Sequence, residues 1–139
     1  MEFDYSCVGE VKINMRKYIE KIIDEFPEEI TSTSATPAAD YLFTVREDGR
    51  KLNEEQATAF HHTVYQLLFT ANRARHDIQT AVSFLTTRVQ EPDEDDWGKL
   101  LKRVLKYLNG TRHLKLTLNA SSMSFVIHWY IDGSVIPNS

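Results

Sequence analysis

The stretch that decides the fold is "WGKLLKRVLKYLNGT", residues 97–111. Apolar residues recur in it at the i, i+3, i+4 spacing that collects side chains on one face of a helix. Gly110 is placed to end this helix. The stretch therefore predicts a helix with one buried stripe, made of Trp97, Leu100, Leu101, Val104, Leu105 and Leu108.

Four basic residues lie on the other side of the same predicted helix. They are Lys99, Lys102, Arg103 and Lys106, at i, i+3, i+4 and i+7. A continuous basic stripe can follow a phosphate backbone. The solvated face of any amphipathic helix has the same pattern, however, so spacing alone leaves both interpretations open.

The acidic run "EPDEDD", residues 91–96, precedes this helix. Such a cluster suggests a divalent cation site, but it lacks the D-x-D-x-D-G order of a calcium loop. Carboxylates at a helix start cap free amides and complement the helix dipole. Capping is the interpretation that the position favours.

Three more helices are predicted upstream. The first runs from a cap at Asn14 to about Phe26, before Pro27. The second runs from about 54 to 72, after Asn53 and Gln56, which have the form of a capping box. The third begins at Asp77, whose side chain is predicted to cap it, and ends before residue 92.

Short strands are predicted at both ends of the chain. "FDYS" and "VKI" flank a turn near Gly9, and "LKLTL" and "SFVIHWYID" form a second pair around "NASSM". Small and polar residues between 28 and 50 predict a connector. The predicted fold class is α+β and mainly helical, with about four amphipathic helices, a short N-terminal hairpin and a C-terminal β-hairpin.

Composition limits the classes of function. The net charge of -4 means that nucleic-acid binding needs a local basic patch. The single cysteine, Cys7, excludes an intramolecular disulfide and fits a reducing compartment. The acidic start "MEFDY" is not a signal peptide, and no apolar run is long enough to span a bilayer. We expect a cytoplasmic or nuclear protein with no membrane partner.

Candidate catalytic groups are few. His61 and His62 are adjacent, so they point in different directions from a helix and form no metal-ligand pair. Asp132 in "HWYIDGS", residues 128–134, shares a strand face with His128 and Tyr130. Carboxylate chemistry on phosphodiesters generally uses two metals held by several acidic residues, and this segment supplies one.

The segment "FHHTVYQLLFTANRARHDIQTAVSFLTTRVQEPDEDDWGKLLKRVLKYLNGT" resembles copia-type LTR retrotransposon polyproteins, in the region after the polymerase active site. The family's blocks "R-P-D-I", "P-x-x-x-H/D-W" and "L-K-R-V-L-R-Y-L-x-G-T" correspond to residues 75–78, 92–97 and 101–111. The resemblance extends over nearly the whole chain. His76 replaces the usual proline, and Tyr65 stands near a position that often holds a small residue.

The resemblance implies a place within a larger enzyme. Residues 1–30 and 54–111 would belong to the thumb and connection region of reverse transcriptase, joined by a connector at 31–53. Residues 112–139 would begin a ribonuclease H-like domain, with Asp132 as its first metal-binding aspartate. The complete enzyme would use Mg²⁺, whereas no cofactor is expected on this fragment, which has no aromatic-x-D-D hairpin.

The implied partners are a DNA/RNA hybrid or primer-template, together with the rest of the polyprotein. The residues expected to contact nucleic acid are Lys99, Lys102, Arg103 and Lys106. By itself the chain is expected to be catalytically incomplete. Two other interpretations stay open: a domesticated protein-interaction module, and a pseudogene product without function.

Overall fold

The computed structural model of the chain describes residues 1–119. Within them, three antiparallel strands form one sheet in the order β1-β2-β3, with β1 at Glu2–Asp4, β2 at Glu10–Asn14 and β3 at Leu116–Asn119. Gly9 makes the turn between β1 and β2 with φ of 75°, which a residue with a Cβ adopts at a cost. The predicted N-terminal hairpin is confirmed.

The predicted C-terminal hairpin is described only in its first strand. β3 forms where "LKLTL" predicts a strand, and it pairs with β2 rather than standing apart. Ile13 on β2 lies opposite Phe3 on one side and Leu116 on the other. The partner strand predicted at 124–132 lies outside the described residues.

The described residues also form four α-helices: α1 at Arg16–Glu25, α2 at Glu54–Arg73, α3 at Gln79–Thr86 and α4 at Lys102–Gly110. A 3₁₀ turn, His76–Ile78, leads into α3. A π-helical turn, Asp96–Leu101, leads into α4, and the Lys102 amide donates to the Trp97 carbonyl. The described chain is α+β and mainly helical, as predicted.

Local capping explains two helix starts. The Asn14 side chain accepts from the Arg16 amide at 2.8 Å, and the Asn53 side chain accepts from the Gln56 amide at 2.8 Å. The cap at Asn53 is confirmed, because its oxygen satisfies an amide that has no partner in the first turn. In α1 the cap position is Met15 rather than Asn14, and Asn14 bonds to the Arg16 amide from the residue before the cap.

The predicted cap at Asp77 is wrong. Neither the 3₁₀ turn nor α3 begins with a side-chain cap. The Asp77 carboxylate instead accepts from the Arg75 guanidinium, at 3.0 and 2.9 Å. A bidentate, charge-assisted pair is stronger than a bond to a neutral amide, so the carboxylate turns away from the helix start.

The core lies where the helices meet the connector. Apolar side chains of α1 and α2, such as Ile19, Ile22, Phe60 and Val64, are fully buried. Each contributes about 1.5–3 kcal/mol by leaving water. The largest members of this core also include Leu67, Ile78, Leu85, Leu101, Leu105 and Leu108.

The connector between α1 and α2 contains neither helix nor strand, apart from one bridge between Lys51 and Asp93. It nevertheless packs on the helices, since Ile30 and Leu42 are buried. A Cβ on Gly110 would lie 3.1 Å from the Thr33 side chain, so this glycine allows the connector to approach the end of α4. No helix in residues 1–119 has both the length and the apolar character needed to cross a membrane.

Candidate nucleic-acid interface

Three of the four basic residues predicted to contact nucleic acid are engaged within the chain. Lys102 Nζ lies 2.5 Å from Glu28 Oε2, and Lys99 Nζ lies 3.5 Å from Asp95 Oδ1. Arg103 donates to the Thr36 hydroxyl at 2.9 Å. These partners come from the connector or the preceding acidic run, so intramolecular contacts occupy part of the predicted stripe.

The contact with Glu28 places Lys102 in a structural role. The hydrogen bond from Lys102 is the main influence that lowers the pKa of Glu28; burial opposes it, and a bond from the Trp97 indole NH at 2.9 Å adds to it. Trp97 also stacks on Phe26, with 5.0 Å between ring centroids. Lys102 therefore helps to fix the connector against the start of α4.

Among the three lysines of this set, Lys99 and Lys106 are held less tightly than Lys102. The Lys99 side chain is 58% exposed and its partner lies at 3.5 Å, a loose surface contact. Lys106 is half-buried and forms no salt bridge within residues 1–119. Lys99 lies within the π-helical turn, so the i, i+3 spacing that predicts one row for Lys99 and Lys102 assumes an α-helical period that this turn does not have.

The basic residues of α1 are neutralised more completely. Arg16 pairs with Glu20 at 3.0 Å, and Lys17 pairs with Glu2 at 2.7 Å. Lys21 lies 3.8 Å from Glu25. A phosphate backbone would have to displace these partners, so α1 presents a weaker candidate surface than α4.

The acidic run at the start of α4 forms a cap. The Asp96 amide donates to Asp93 at 2.8 Å, and the Asp93 amide donates back to Asp96 at 3.0 Å. Arg88 donates to the Asp96 carboxylate at 3.0 Å. Burial, the largest influence, raises the pKa of Asp96 even though the amide of Asp93 and Arg88 act against it. The capping interpretation is confirmed.

Metal ligands are not assembled in the part of the chain that the structure describes. No group of three or more His, Cys, Asp or Glu side chains in residues 1–119 is arranged to hold an ion. Asp132, the predicted first metal ligand, lies outside those residues. The site that the resemblance implies for Mg²⁺ is therefore not described.

The most extensively bonded polar group in residues 1–119 is the Arg75 guanidinium, whose burial the sequence does not predict. The Arg75 side chain is only 2% exposed, and its guanidinium contacts both Asp77 and Thr111. Nη1 donates to the Thr111 carbonyl at 2.8 Å, and Nη2 donates to the Thr111 hydroxyl at 2.7 Å. The guanidinium also lies 5.7 Å from the centre of the Tyr107 ring.

Tyr107, which is half-buried, and Asp77, which is exposed, complete the cluster around the buried guanidinium. The Tyr107 hydroxyl donates to Asp77 Oδ2 at 2.5 Å, and the Thr111 hydroxyl donates to the Tyr107 carbonyl at 2.7 Å. Burial acts to raise the pKa of Asp77, but the hydrogen bonds from Arg75 and Tyr107 and the charge of Arg75 outweigh it, so the pKa is lowered. Burial and the bond to Asp77 raise the pKa of Tyr107.

This cluster joins two separate blocks of the sequence. Arg75 and Asp77 come from "RHDI", whereas Tyr107 and Thr111 come from "LKRVLKYLNGT". Both blocks carry the resemblance to copia-type polyproteins, and the structure places them in direct contact. The sequence predicts that Arg73 or Arg75 pairs with Asp77 or caps the end of α2, and the Arg75–Asp77 pair confirms this. The bond from Arg75 to Thr111, 36 residues away, follows no local pattern.

A comparison with known proteins gives one informative match. The chain is 27% identical, over 107 residues, to the retrovirus-related Pol polyprotein from transposon TNT 1-94 of Nicotiana tabacum. This chain is similar to a retrotransposon polyprotein. The alignment covers 71% of this chain and 8% of the polyprotein, so the activities of the whole polyprotein enter here only as proposals. No protein-family model and no solved structure matches the chain.

Proposed function

We propose that the chain is a segment of a retrotransposon reverse transcriptase that lies after the polymerase active site and supports primer-template binding. The observation that carries this proposal is the contact between Arg75 and Thr111. It joins the two blocks that resemble the copia-type pattern. The similarity to a retrotransposon Pol polyprotein supports the part of the proposal that relates the chain to such a polyprotein.

Within this proposal, α4 and the turn before it supply the contact with the DNA/RNA hybrid. Lys99 and Lys106 would approach phosphates directly, since their ammonium groups are held less tightly within the chain than that of Lys102. Lys102 and Arg103 would add positive charge while holding the connector in place. Neutralising phosphates releases counterions, so such binding weakens steeply with salt.

Catalysis is assigned to the complete polyprotein. Its ribonuclease H site would use Mg²⁺ with Asp132 as the first ligand, and the remaining polyprotein would provide the polymerase site. The described residues hold no cluster for the ion, so no chemical step is assigned to them. By itself the chain would be catalytically incomplete. A cytoplasmic or nuclear location belongs to the same proposal.

Binding of the full chain to a labelled DNA/RNA hybrid tests this function. Fluorescence anisotropy would be measured across a salt series for the wild type and for the Lys99→Gln/Lys106→Gln variant. Losing two phosphate contacts should weaken binding and reduce the slope of log affinity against log salt by about two. Lys51→Gln/Lys115→Gln is the matched control, because it removes the same charge from exposed positions outside α4.

Two results would overturn the proposal. One is a wild-type chain that does not bind the hybrid even at low salt. The other is an equal loss of affinity in both double variants, since this would show that only net charge matters. Either result would show that α4 has no specific role in nucleic-acid binding, although the similarity to the polyprotein would remain.

A further inference from the structure

The exposed face of α2 and of the turn after it has an unusual composition. No Asp or Glu occurs between Glu55 and Asp77, although the chain has 20 acidic residues against 16 Lys and Arg. Solvated helix faces normally carry charges of both signs. The exposed positions on this face are Thr58, His61, His62, Tyr65, Phe69, Asn72, Arg73 and His76.

Four of these residues form one row at i, i+4 spacing: His61, Tyr65, Phe69 and Arg73. The first two residues of the row are in contact with each other, and so are the last two. The His61 and Tyr65 rings lie 4.6 Å apart, and the Arg73 guanidinium lies 5.1 Å from the centre of the Phe69 ring. The row is about 18 Å long at the rise of an α-helix. Tyr65 and Phe69 remain 49% and 42% exposed.

Neighbouring side chains define the edges of the row. Tyr18 of α1 packs against Phe69, with 5.3 Å between ring centroids. On the side of α1, Glu25 accepts from Gln66 at 2.9 Å and lies 3.7 Å from His62. This carboxylate is therefore engaged beside the row rather than within it. An anionic ligand along the row would meet Arg73 and no carboxylate of α2, since Glu54 and Glu55 lie in the first turn of the helix, before the row begins.

The ligand chemistry follows from the rings and the cation together. Exposed aromatic rings stack on flat π systems, and every unpaired nucleobase presents such a face. A guanidinium binds phosphate, and the lack of carboxylates removes repulsion of the backbone. A duplex keeps its base faces stacked inside, so the row matches a single strand better than a double-stranded ligand.

We propose that the row His61, Tyr65, Phe69 and Arg73 binds single-stranded nucleic acid, with bases stacked on Tyr65 and Phe69 and a phosphate against Arg73. This surface goes beyond the proposed hybrid contact, because it lies on α2 and uses stacking. It also requires none of the basic residues of α4.

The test uses the full chain and a labelled oligothymidylate, with affinity measured by fluorescence anisotropy. Tyr65→Ala should weaken binding about tenfold, the effect of losing one stacking ring, and Tyr65→Phe should bind like the wild type. Phe43→Ala removes an exposed ring elsewhere and should leave the affinity unchanged. A strand of the same length with abasic sites should bind the wild type more weakly than the intact strand binds Tyr65→Ala, because it loses the stacking on both Tyr65 and Phe69.

Other outcomes overturn the inference. An abasic strand that binds as well as the intact strand would show that the rings take no part. A loss in Lys99→Gln/Lys106→Gln as large as that in Tyr65→Ala would place the strand on α4. If the wild type binds no oligonucleotide but self-associates in sedimentation through Tyr65, the row is a protein surface. Since hybrid binding is measured separately, failure here leaves the proposed function intact.

Discussion

The Arg75 guanidinium donates to both the carbonyl and the hydroxyl of Thr111, which fastens the turn before α3 to the end of α4. The guanidinium carries a full charge at 2% exposure, so its bonds to Thr111 and Asp77 have to compensate for the loss of water. Removing one of these partners leaves part of the buried guanidinium without a hydrogen bond.

Arg75→Lys should therefore destabilise the fold despite keeping the charge. A lysine has no planar fork and cannot bond to Asp77 and Thr111 in the same geometry. We expect a loss of about 2–3 kcal/mol in the free energy of unfolding, measured by urea denaturation. Arg73→Lys, two residues earlier on the surface, should cost less than about 1 kcal/mol. Equal effects of the two substitutions would contradict the structural role of Arg75.

Acid should unfold the chain partly through Asp77. Its pKa lies below the ordinary value of 3.8 in the folded protein, so its stabilising contribution is complete above that pH. The contribution is lost as the pH falls through the folded-state pKa. Asp77→Asn should lower stability at neutral pH and flatten the dependence of the unfolding free energy on pH below about 3.8. An unchanged slope would show that Asp77 does not titrate in this cluster.

Two glycines near the start of α4 should respond in opposite directions to the same substitution. A Cβ on Gly49 would lie 2.6 Å from the Asp93 carboxylate, which caps the Asp96 amide, whereas a Cβ on Gly98 meets nothing within 4 Å. Gly49→Ala should destabilise by about 1–3 kcal/mol. Gly98→Ala should stabilise by about 0.5–1 kcal/mol, because alanine favours helix. Thermal unfolding of both variants measures the contrast.

Local patterns predicted the elements of the fold well. The cap at Asn53 and the turn at Gly9 depend only on neighbours in sequence, and both occur. The π-helical turn was missed, because Trp97, Leu100 and Leu101 face inward with either helical period over so short a stretch.

The features that the sequence did not predict depend on contacts between residues far apart in the chain. Arg75 stands between Arg73 and His76, a setting typical of the surface, and its burial depends on Thr111, far along the chain. The basic residues of α4 also have partners far away in the sequence. Spacing predicts their helix face, but not that Glu28 and Thr36 of the connector would reach Lys102 and Arg103.

Substitutions of Lys102 and Lys106 can separate a role in protein stability from a role in binding nucleic acid. Lys102 reaches Glu28 at 2.5 Å beside the Trp97 indole, so Lys102→Gln should lower the free energy of unfolding by about 1 kcal/mol. Lys106→Gln removes no salt bridge within residues 1–119 and should change stability by less than about 0.5 kcal/mol. Urea denaturation at low and high salt measures both, and the effect of Lys102→Gln should shrink as salt screens the pair. A greater loss of stability from Lys106→Gln would contradict this division, whereas a greater loss of hybrid affinity from it agrees with the proposed function.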